Sequence, residues 1–437
     1  MSKTAYERAV DALFTQLPMF QRQGPAAYKA DLGATRRVCQ ALGNPEKALR
    51  VVHVAGTNGK GTVCHMVAAV LQEAGFRVGL FTSPHLVDFR ERIRVNGVCI
   101  PEASVVDFVG RWQKAEGAWG TPSFFELTFG MALDHFRDAL CDVVVLETGM
   151  GGRLDSTNVI PAPEVTCVTN VGLDHQAFLG NDVPSIAREK AGIFKDGVPV
   201  VLGPMRPEAL SEMLSASLKT SSEVHYARDV ETDLRRLGLE SDSPVDRVNM
   251  STAFAVLRVL TARGWKISPE STANGLRNHQ ALTGQRGRWQ RIVMPKGPEV
   301  ILDGAHNADG VRNTLAELHQ RTEERGGHLW VVWGAVGDKD PSPVMSLLPV
   351  EARFVWCAAD IPRAMNPTTL SHVRPELEGH VSSTAVLALT WALEQSGRRD
   401  VIWVGGSLFV VGDVLREAPS KIEGWPLEEE GIKQECR

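Results

Sequence analysis

The fold of this protein is decided by a short apolar run and the glycine-rich loop behind it, VVHVAGTNGKGT at residues 51–62. The run at 51–55 is short and rich in valine, which is typical of a buried β-strand. After the loop, apolar residues recur at helical spacing from Val63 to Ala74, and Gly75 stands where a helix C-cap glycine is expected. The stretch therefore predicts a strand, a glycine loop and a helix, in that order.

The loop at residues 56–62 has the composition of a phosphate-binding loop. Its glycines let backbone N–H groups turn towards phosphate oxygens at a helix N-terminus, and Lys60 adds a positive charge. Gly61 separates Lys60 from Thr62, so the spacing departs from the strict GxxxxGK[ST] pattern. The alternative is a tight strand–helix turn with an exposed lysine.

Apolar runs that alternate with helical patterns predict an α/β fold in two domains. The first series of runs covers residues 51–55, 77–83, 143–147, 165–171 and 198–202, and the second covers 300–302, 329–333, 353–357 and 401–404. We expect a phosphate-loop ATPase domain with a parallel-rich sheet at 1–284, a smaller Rossmann-like α/β domain at 285–425 and a tail at 426–437. The join lies near 282–288, where glycines and arginines interrupt the apolar pattern, and residues 206–248 show no readable pattern.

Length and charge restrict the class of protein. A chain of 437 residues with 43% hydrophobic and 23% charged residues is long enough for more than one packed domain. A formal charge of -5 without a basic run argues against a nucleic-acid partner. Neither a signal peptide nor a membrane span is indicated. We expect a cytoplasmic, monomeric enzyme that acts on small molecules.

A second signal is the strand-like run VVVLE at 143–147, which ends in an acid. Ligands of open α/β sheets gather at the carboxyl ends of the strands, and Mg²⁺ prefers carboxylates together with phosphate oxygens. Beside a phosphate loop, Glu147 is a candidate metal ligand. The alternative is a strand-end acid that pairs with a surface base.

Three further segments follow predicted strands and converge on the same sheet edge, namely residues 82–85, 149–158 and 170–175. Each has an ordinary explanation when taken alone. Ser83 can cap a turn, His175 can be a core histidine, and the glycine-rich stretch can be a flexible loop.

Together these segments carry a resemblance. Six stretches match in order: HVAGTNGKGT (53–62), TSPHLVDFRERIRVNG (82–97), ETGMGGRLDSTN (147–158), GLDH (172–175), AREKAGIFK (187–195) and LDGAHN (302–307). The chain resembles the folylpolyglutamate synthase/dihydrofolate synthase family, a branch of the Mur ligase superfamily. The resemblance covers about residues 28–412.

The resemblance implies that ATP phosphorylates a carboxylate and that the amine of L-glutamate attacks the acyl phosphate. Such a reaction gathers negative charge, which cations and inward-facing amides must stabilise. The residues implied for ATP are Gly56, Thr57, Asn58, Gly59, Lys60, Gly61, Thr62, Asn249, Arg288 and Asp303. The residues implied for Mg²⁺ are Thr62, Ser83, Glu147, His175 and Lys190, and the catalytic group comprises Lys60, Glu147, His175 and Lys190.

In the family the lysine at the place of Lys190 is N-carbamylated and ligates a second Mg²⁺. From the residues alone, the pattern instead favours a surface lysine whose stem packs on a helix. Asp303, followed by glycine, also fits a turn former.

The resemblance also implies residues for substrate binding, most of them for the acid. These are Asp31, Phe124, Phe125, Glu126, Arg153, Leu154, Asp155 and His306. An aromatic pair such as Phe124 and Phe125 can flank a flat ring, but it also fits a core.

The sequence departs from the family pattern at Arg286, at Gln290 and at residues 245–248. The last departure makes the assignment of Asn249 less secure than that of the phosphate loop. Three functions fit the sequence. The first is a dihydrofolate synthase, a folylpolyglutamate synthase or both, the second is a Mur-type ligase for other substrates, and the third is a nucleotide-dependent switch protein without ligase chemistry.

Overall fold

The computed structural model describes residues 3–18, 31–115, 117–239, 243–295, 297–337 and 340–426. These residues divide into two compact units. The first contains residues up to 239 together with 246–284, and the second contains 243–245 and the residues from 285 onward. Among the described helices, none is long and apolar enough to cross a membrane.

The first unit is built on an eight-stranded sheet. Its strands are β1 (Val51–Ala55), β2 (Val78–Phe81), β3 (Ile93–Val95), β4 (Val98–Cys99), β5 (Val143–Glu147), β6 (Val165–Val168), β7 (Val200–Leu202) and β8 (Val224–Tyr226). Their order is β4-β3-β2-β5-β1-β6-β7-β8, and all neighbours pair in parallel except β2 with β3 and β3 with β4. The strand that precedes the phosphate loop is therefore central, between β5 and β6.

Helices cover both faces of this sheet. They are α1 (Ala5–Gln16), α2 (Gly33–Ala41), α3 (Lys60–Glu73), α4 (Glu102–Lys114), α5 (Phe124–Asp138), α6 (Gln176–Leu179), α7 (Val183–Ala191), α8 (Pro207–Lys219), α9 (Glu231–Arg236), α10 (Pro244–Ala262), α11 (Pro269–Arg277) and α12 (His279–Thr283). Val52 and Val54 of β1 pack into one core with α3, whereas Val51 belongs to a separate core on the other face. Burial on both faces explains why the central strands read as continuous apolar runs.

Short strands at one edge of the sheet escaped the sequence prediction. β3 and β4 form a hairpin around Asn96 and Gly97, both of which have positive φ. Asn-Gly is the strongest short signal for such a turn, and it was available in the sequence. The segment at 206–248, unreadable from the sequence, contains α8, β8 and α9.

The second unit has its own six-stranded sheet. Its strands are β9 (Gln290–Val293), β10 (Glu299–Leu302), β11 (Leu329–Trp333), β12 (Arg353–Trp356), β13 (Gly379–Val381) and β14 (Val401–Gly405). Their order is β13-β12-β11-β14-β10-β9, with only β9 antiparallel to its neighbour among the described pairs. Its helices are α13 (Ala308–Arg325), α14 (Ser342–Met345), α15 (Pro367–Ser371), α16 (Ala385–Gln395) and α17 (Leu408–Lys421).

The predicted fold class is confirmed: an α/β chain with a large parallel-rich sheet and a second, smaller α/β sheet nearer the C-terminus. Every predicted strand is present, although several are shorter than predicted, such as residues 77–83, which reduce to β2. Of the expected tail at 426–437, residues 427–437 lie outside the described part of the chain.

Candidate active site of the first unit

The phosphate loop lies between β1 and α3, as the sequence predicted. It is joined to the segment after β6: the Asn58 N–H donates to Asn170 Oδ1 (2.9 Å), and Asn170 Nδ2 donates to the Asn58 carbonyl (3.0 Å). The Thr57 hydroxyl and the Gly172 backbone also bond each other. Hydrogen bonds between the segments that follow β1 and β6 therefore fix the conformation of the loop without a ligand.

Two lysines meet at the start of this loop. Lys60 Nζ donates to the carbonyls of Gly56 and Thr57, both at 3.1 Å, and Lys190 Nζ donates to the same Gly56 carbonyl at 2.7 Å. Lys190 projects from α7 and is 3% exposed. It is therefore a buried residue of the site, and the alternative of a surface lysine is wrong.

The environment of Lys190 changes its protonation. Burial and, to a smaller extent, the charge of Lys60 together lower its pKa from 10.5 to about 7, although the charges of Asp174 and Asp155 oppose this shift. Removing a cation from water favours its neutral form. Close to pH 7, a large part of Lys190 is thus an uncharged amine.

Glu147 stands at the carboxyl end of β5 beside the loop. Its Oε2 accepts a hydrogen bond from the Ser83 N–H (2.8 Å), and the residue is 4% exposed. A Cβ placed on Gly61 would lie 3.5 Å and 3.6 Å from the two carboxylate oxygens. The structure therefore brings Ser83, Glu147 and the start of α3, which contains buried Thr62, into one place.

His175 lies on the loop after β6 with a φ of 50°. Its backbone N–H donates to Asp174 Oδ1 (2.8 Å), and its Nε2 lies 3.9 Å from Asp174 Oδ2. In the described part of the chain, no three His, Cys, Asp or Glu side chains are grouped closely enough to hold a metal ion by themselves. A metal at this edge would therefore depend on hydroxyls, Lys190 and ligand oxygens besides Glu147 and His175.

Asn249 of α10 lies against the phosphate loop. Its Oδ1 would be 2.3 Å from a Cβ on Gly59, which has a φ of 79°. Asn249, which the sequence assigned less securely than the phosphate loop, thus lies directly at that loop.

The residues proposed for the acid substrate divide into two groups. Asp155 is 7% exposed and follows the Gly149–Gly152 turn, and Phe125 lies over Gly149, where a Cβ would be 2.6 Å from its ring. Leu154 is half-buried beside Asp155. These residues adjoin the carboxyl end of β5.

The other group makes structural contacts. Phe124 is 3% exposed and stacks on Phe14 with ring centres 5.3 Å apart. Glu126 closes a capping box with the Ser123 N–H (2.6 Å) at the start of α5. Arg153 pairs on the surface with Glu189, and exposed Asp31 accepts the Gly33 N–H.

In the second unit, Asp303 follows β10 and holds two backbone amides. Its Oδ2 accepts the Trp289 N–H (2.9 Å), and its Oδ1 accepts the Ala305 N–H (3.0 Å). These are the contacts of a turn former. Arg288 lies over Gly304, with Nη1 3.3 Å from a Cβ placed there, and His306 Nδ1 lies 2.9 Å from the Gly304 carbonyl. The three predicted residues of this unit therefore surround one turn.

Arg92 was not singled out by sequence reasoning. It is 2% exposed, its Nε donates to His85 Nδ1 (2.7 Å), and its guanidinium lies 5.2 Å from the Phe124 ring centre. Burial lowers its pKa to about 10, and the nearby charges of Glu147 and Glu91 oppose that shift. The segment RERIR contains three arginines, all buried, so the sequence offers no signal that separates this one.

Comparison with known families defines the class of protein. Residues 54–202 match the Mur ligase middle domain, and residues 287–408 match the Mur ligase glutamate ligase domain. The fold and the phosphate-loop site are thus those of an ATP-dependent Mur-type ligase.

Individual relatives narrow this class. The Bacillus subtilis dihydrofolate synthase/folylpolyglutamate synthase is 31% identical over 89% of this chain and 95% of its own. The chain is 36% identical to the Haloferax volcanii "Probable bifunctional folylpolyglutamate synthase/dihydropteroate synthase", over 93% of this chain, but spans only 50% of that protein.

Solved structures agree with these relatives. E. coli FolC in complex with DHPP and ADP has a TM-score of 0.79 at 27% identity and covers 95% of this chain and 98% of its own. A bifunctional folylpolyglutamate synthase/dihydrofolate synthase with Mn, AMPPNP and L-glutamate bound has a TM-score of 0.74 at 28% identity, covering 89% and 94%. This chain belongs to the folylpolyglutamate synthase/dihydrofolate synthase family.

Proposed function

We propose that this protein uses ATP and a divalent cation to join L-glutamate to dihydropteroate, to a reduced folate, or to both. The observation that carries the proposal is the meeting of Lys60 and Lys190 at the Gly56 carbonyl, beside the Glu147 carboxylate. A cationic loop next to a carboxylate at a sheet edge suits a nucleotide triphosphate with its metal. The ligands bound by the related structures support the same substrates.

In this proposal the loop amides at 56–62 and Lys60 hold the phosphates, and Asn249 packs on the loop. The assignment of Asp303 and Arg288 to the nucleotide remains a prediction from the resemblance. Glu147, Ser83 and Thr62 would supply the oxygen donors that a hard divalent cation prefers, and His175 would add an imidazole nitrogen. The bound cation would neutralise the negative charge of the phosphoryl group while that group is transferred to the carboxylate of the acid.

The remaining chemistry belongs to this chain's own residues. The inward-facing amides and Lys60 stabilise the charge that grows on the transferred phosphoryl group. Phe125, Leu154 and Asp155 orient the acid, whose carboxylate becomes an acyl phosphate. The amine of L-glutamate then attacks the carbonyl carbon of the acyl phosphate, the C–N bond forms, the amine loses a proton, and the C–O bond to phosphate breaks so that phosphate leaves. We assign His306 to substrate binding.

We further propose that Lys190 is carbamylated and provides a second metal ligand. Only a neutral amine attacks CO₂, and the lowered pKa of Lys190 supplies that form near neutral pH. Labelled bicarbonate should give a carbon-13 carbamate signal in the wild-type protein and none in Lys190→Met. An equal signal in both would refute the assignment.

We also propose that residues 1–284 and 285–425 are the two functional domains; the division into compact units near residue 284 supports these limits. The monomeric state and the cytoplasmic location remain predictions from the sequence.

The test of the reaction is ADP release with Mg²⁺, L-glutamate and either dihydropteroate or a reduced folate, with mass spectrometry of the product. We expect amide product with at least one acid, no product without L-glutamate, and a large loss in Lys60→Ala. ATP turnover that needs no amine would instead indicate a switch protein. Product only with unrelated acids would indicate another Mur-type ligase.

A further inference from the structure

A histidine is buried in the middle of the large sheet, where parallel strands normally carry apolar residues. His53 lies on β1 between Leu146 of β5 and Thr166 of β6 and is 0% exposed. Its Nε2 lies 2.8 Å from the Thr157 hydroxyl, and its Nδ1 has no partner. A buried polar atom without a partner is unfavourable, so packing alone does not explain a histidine here.

The hydrogen bonds around Thr157 fix the direction of donation. The Thr157 hydroxyl donates its only proton to Asp155 Oδ1 at 2.5 Å, so its oxygen must accept from His53. His53 is therefore the Nε2–H tautomer. Burial and the charge of Lys195 keep the ring neutral by lowering its pKa to about 3.

His53, Thr157 and Asp155 form a hydrogen-bond relay. It ends on the Asp155 carboxylate, and both oxygens of that carboxylate accept hydrogen bonds. Asp155 Oδ1 also accepts the Thr157 N–H (3.0 Å), and Oδ2 accepts the Met150 N–H (2.9 Å). Thr157 is 0% exposed to solvent, whereas Asp155, in the segment that follows β5, is 7% exposed. The Thr157 hydroxyl can turn about its own bond unless a donor holds it, and His53 supplies that donor.

We propose that His53 is a positioning residue whose Nε2–H holds the Thr157 hydroxyl on Asp155, so that the Asp155 carboxylate is fixed in the orientation that binds the acid substrate. The inference rests on the proposed function, in which Asp155 contacts the acid. It requires no contact between His53 and any ligand. It therefore predicts a change in the use of the acid and none in the use of ATP.

The hydrogen-bond relay is tested first, without turnover. Nitrogen-15 NMR of the wild-type protein, with the His53 signal assigned by its loss in His53→Gln, should show a neutral Nε2–H ring. An Nδ1–H ring would overturn the relay whatever the protein catalyses. This measurement stays decisive even if neither dihydropteroate nor a reduced folate is a substrate, a result that would refute the proposed function instead.

The positioning role is tested by matched pairs of variants. His53→Gln keeps a donor at the reach of Nε2 and His53→Leu removes it, whereas Thr157→Ser keeps the hydroxyl and Thr157→Val removes it. We expect His53→Leu and Thr157→Val each to raise KM for the acid about tenfold, the effect of about 1.4 kcal/mol, with KM for ATP unchanged. His53→Gln and Thr157→Ser should stay close to the wild-type value.

The double variant separates this role from general packing. Because both residues act through one chain of bonds, His53→Leu/Thr157→Val should be no worse than either single variant. Additive losses would overturn the proposal, and so would equal effects on KM for ATP and for the acid. Melting temperatures of all five variants show whether a change in KM accompanies a loss of folding.

Discussion

Two glycines at opposite ends of α3 provide a matched experiment on the phosphate loop. Gly59 precedes the helix and Gly75 follows it, with φ values of 79° and 88°. A Cβ on Gly59 would lie 2.3 Å from Asn249 Oδ1, whereas a Cβ on Gly75 would meet nothing within 4 Å. Alanine at either position therefore has a similar backbone strain, but only at Gly59 does it also collide with a neighbouring side chain.

The structure gives the expected loss of unfolding free energy for each variant. A non-glycine residue in the left-handed region costs roughly 1–2 kcal/mol, which is the whole effect expected for Gly75→Ala. Overpacking adds about 1–3 kcal/mol, so Gly59→Ala should lose roughly 2–5 kcal/mol of unfolding free energy. Because the loop must shift to relieve the collision, we also expect ATP to bind more weakly to Gly59→Ala, but not to Gly75→Ala.

Urea unfolding and nucleotide titration measure these two quantities. The variant Gly59→Ala/Asn249→Ala removes the collision and should recover the packing part of the stability loss but not the backbone part. The reasoning would be refuted if Gly59→Ala were no less stable than Gly75→Ala and bound ATP as tightly as the wild-type protein.

Three further predictions follow from buried groups. At a fixed CO₂ concentration, carbamate formation on Lys190 should rise about tenfold between about pH 6 and about pH 8 and then level off, because nearly all of the amine is neutral well above a pKa of about 7. Without CO₂, the free energy of unfolding should rise with pH between 7 and 10.5, because in that range the lysine of the unfolded chain binds more protons than the lysine of the folded one. Phe125→Ala should raise KM for the acid, whereas Phe124→Ala should cost about 3–5 kcal/mol of stability in urea unfolding because that ring is core. Glu299→Gln should cost about 1–3 kcal/mol, since this buried carboxylate bonds two arginines, whereas Glu324→Gln on the surface should cost little. Neighbouring arginines lower the pKa of Glu299. The stability that this carboxylate contributes is therefore fully present above the ordinary carboxyl pKa of 4.5 and is lost as the pH falls through the lowered value.

The sequence predicted those parts of the protein that local pattern controls. Parallel strands that are buried on both faces must be apolar, and a loop that admits phosphates needs glycines, so residues 51–62 and 143–147 could be predicted without a structure. Strands such as β8 and β13 were not, because three residues at a sheet edge carry too little pattern.

The site could be predicted only in part. A strand end tells where a side chain lies along the sheet, which located Glu147 and the segment with Ser83. It does not tell which polar groups become buried together. The sequence favoured a surface position for Lys190, and it gave Phe124 and Phe125 the same role, although one is core and the other lies over the Gly149 turn.

By itself, then, the sequence determined the α/β order of elements, the phosphate loop and the family, because each depends on residues close together in the chain. Only the tertiary structure decided the lowered pKa of Lys190, the contact of Asn249 with Gly59 and the bond from His53 to Thr157. These properties arise from desolvation and from neighbours distant in sequence, and packing sets both.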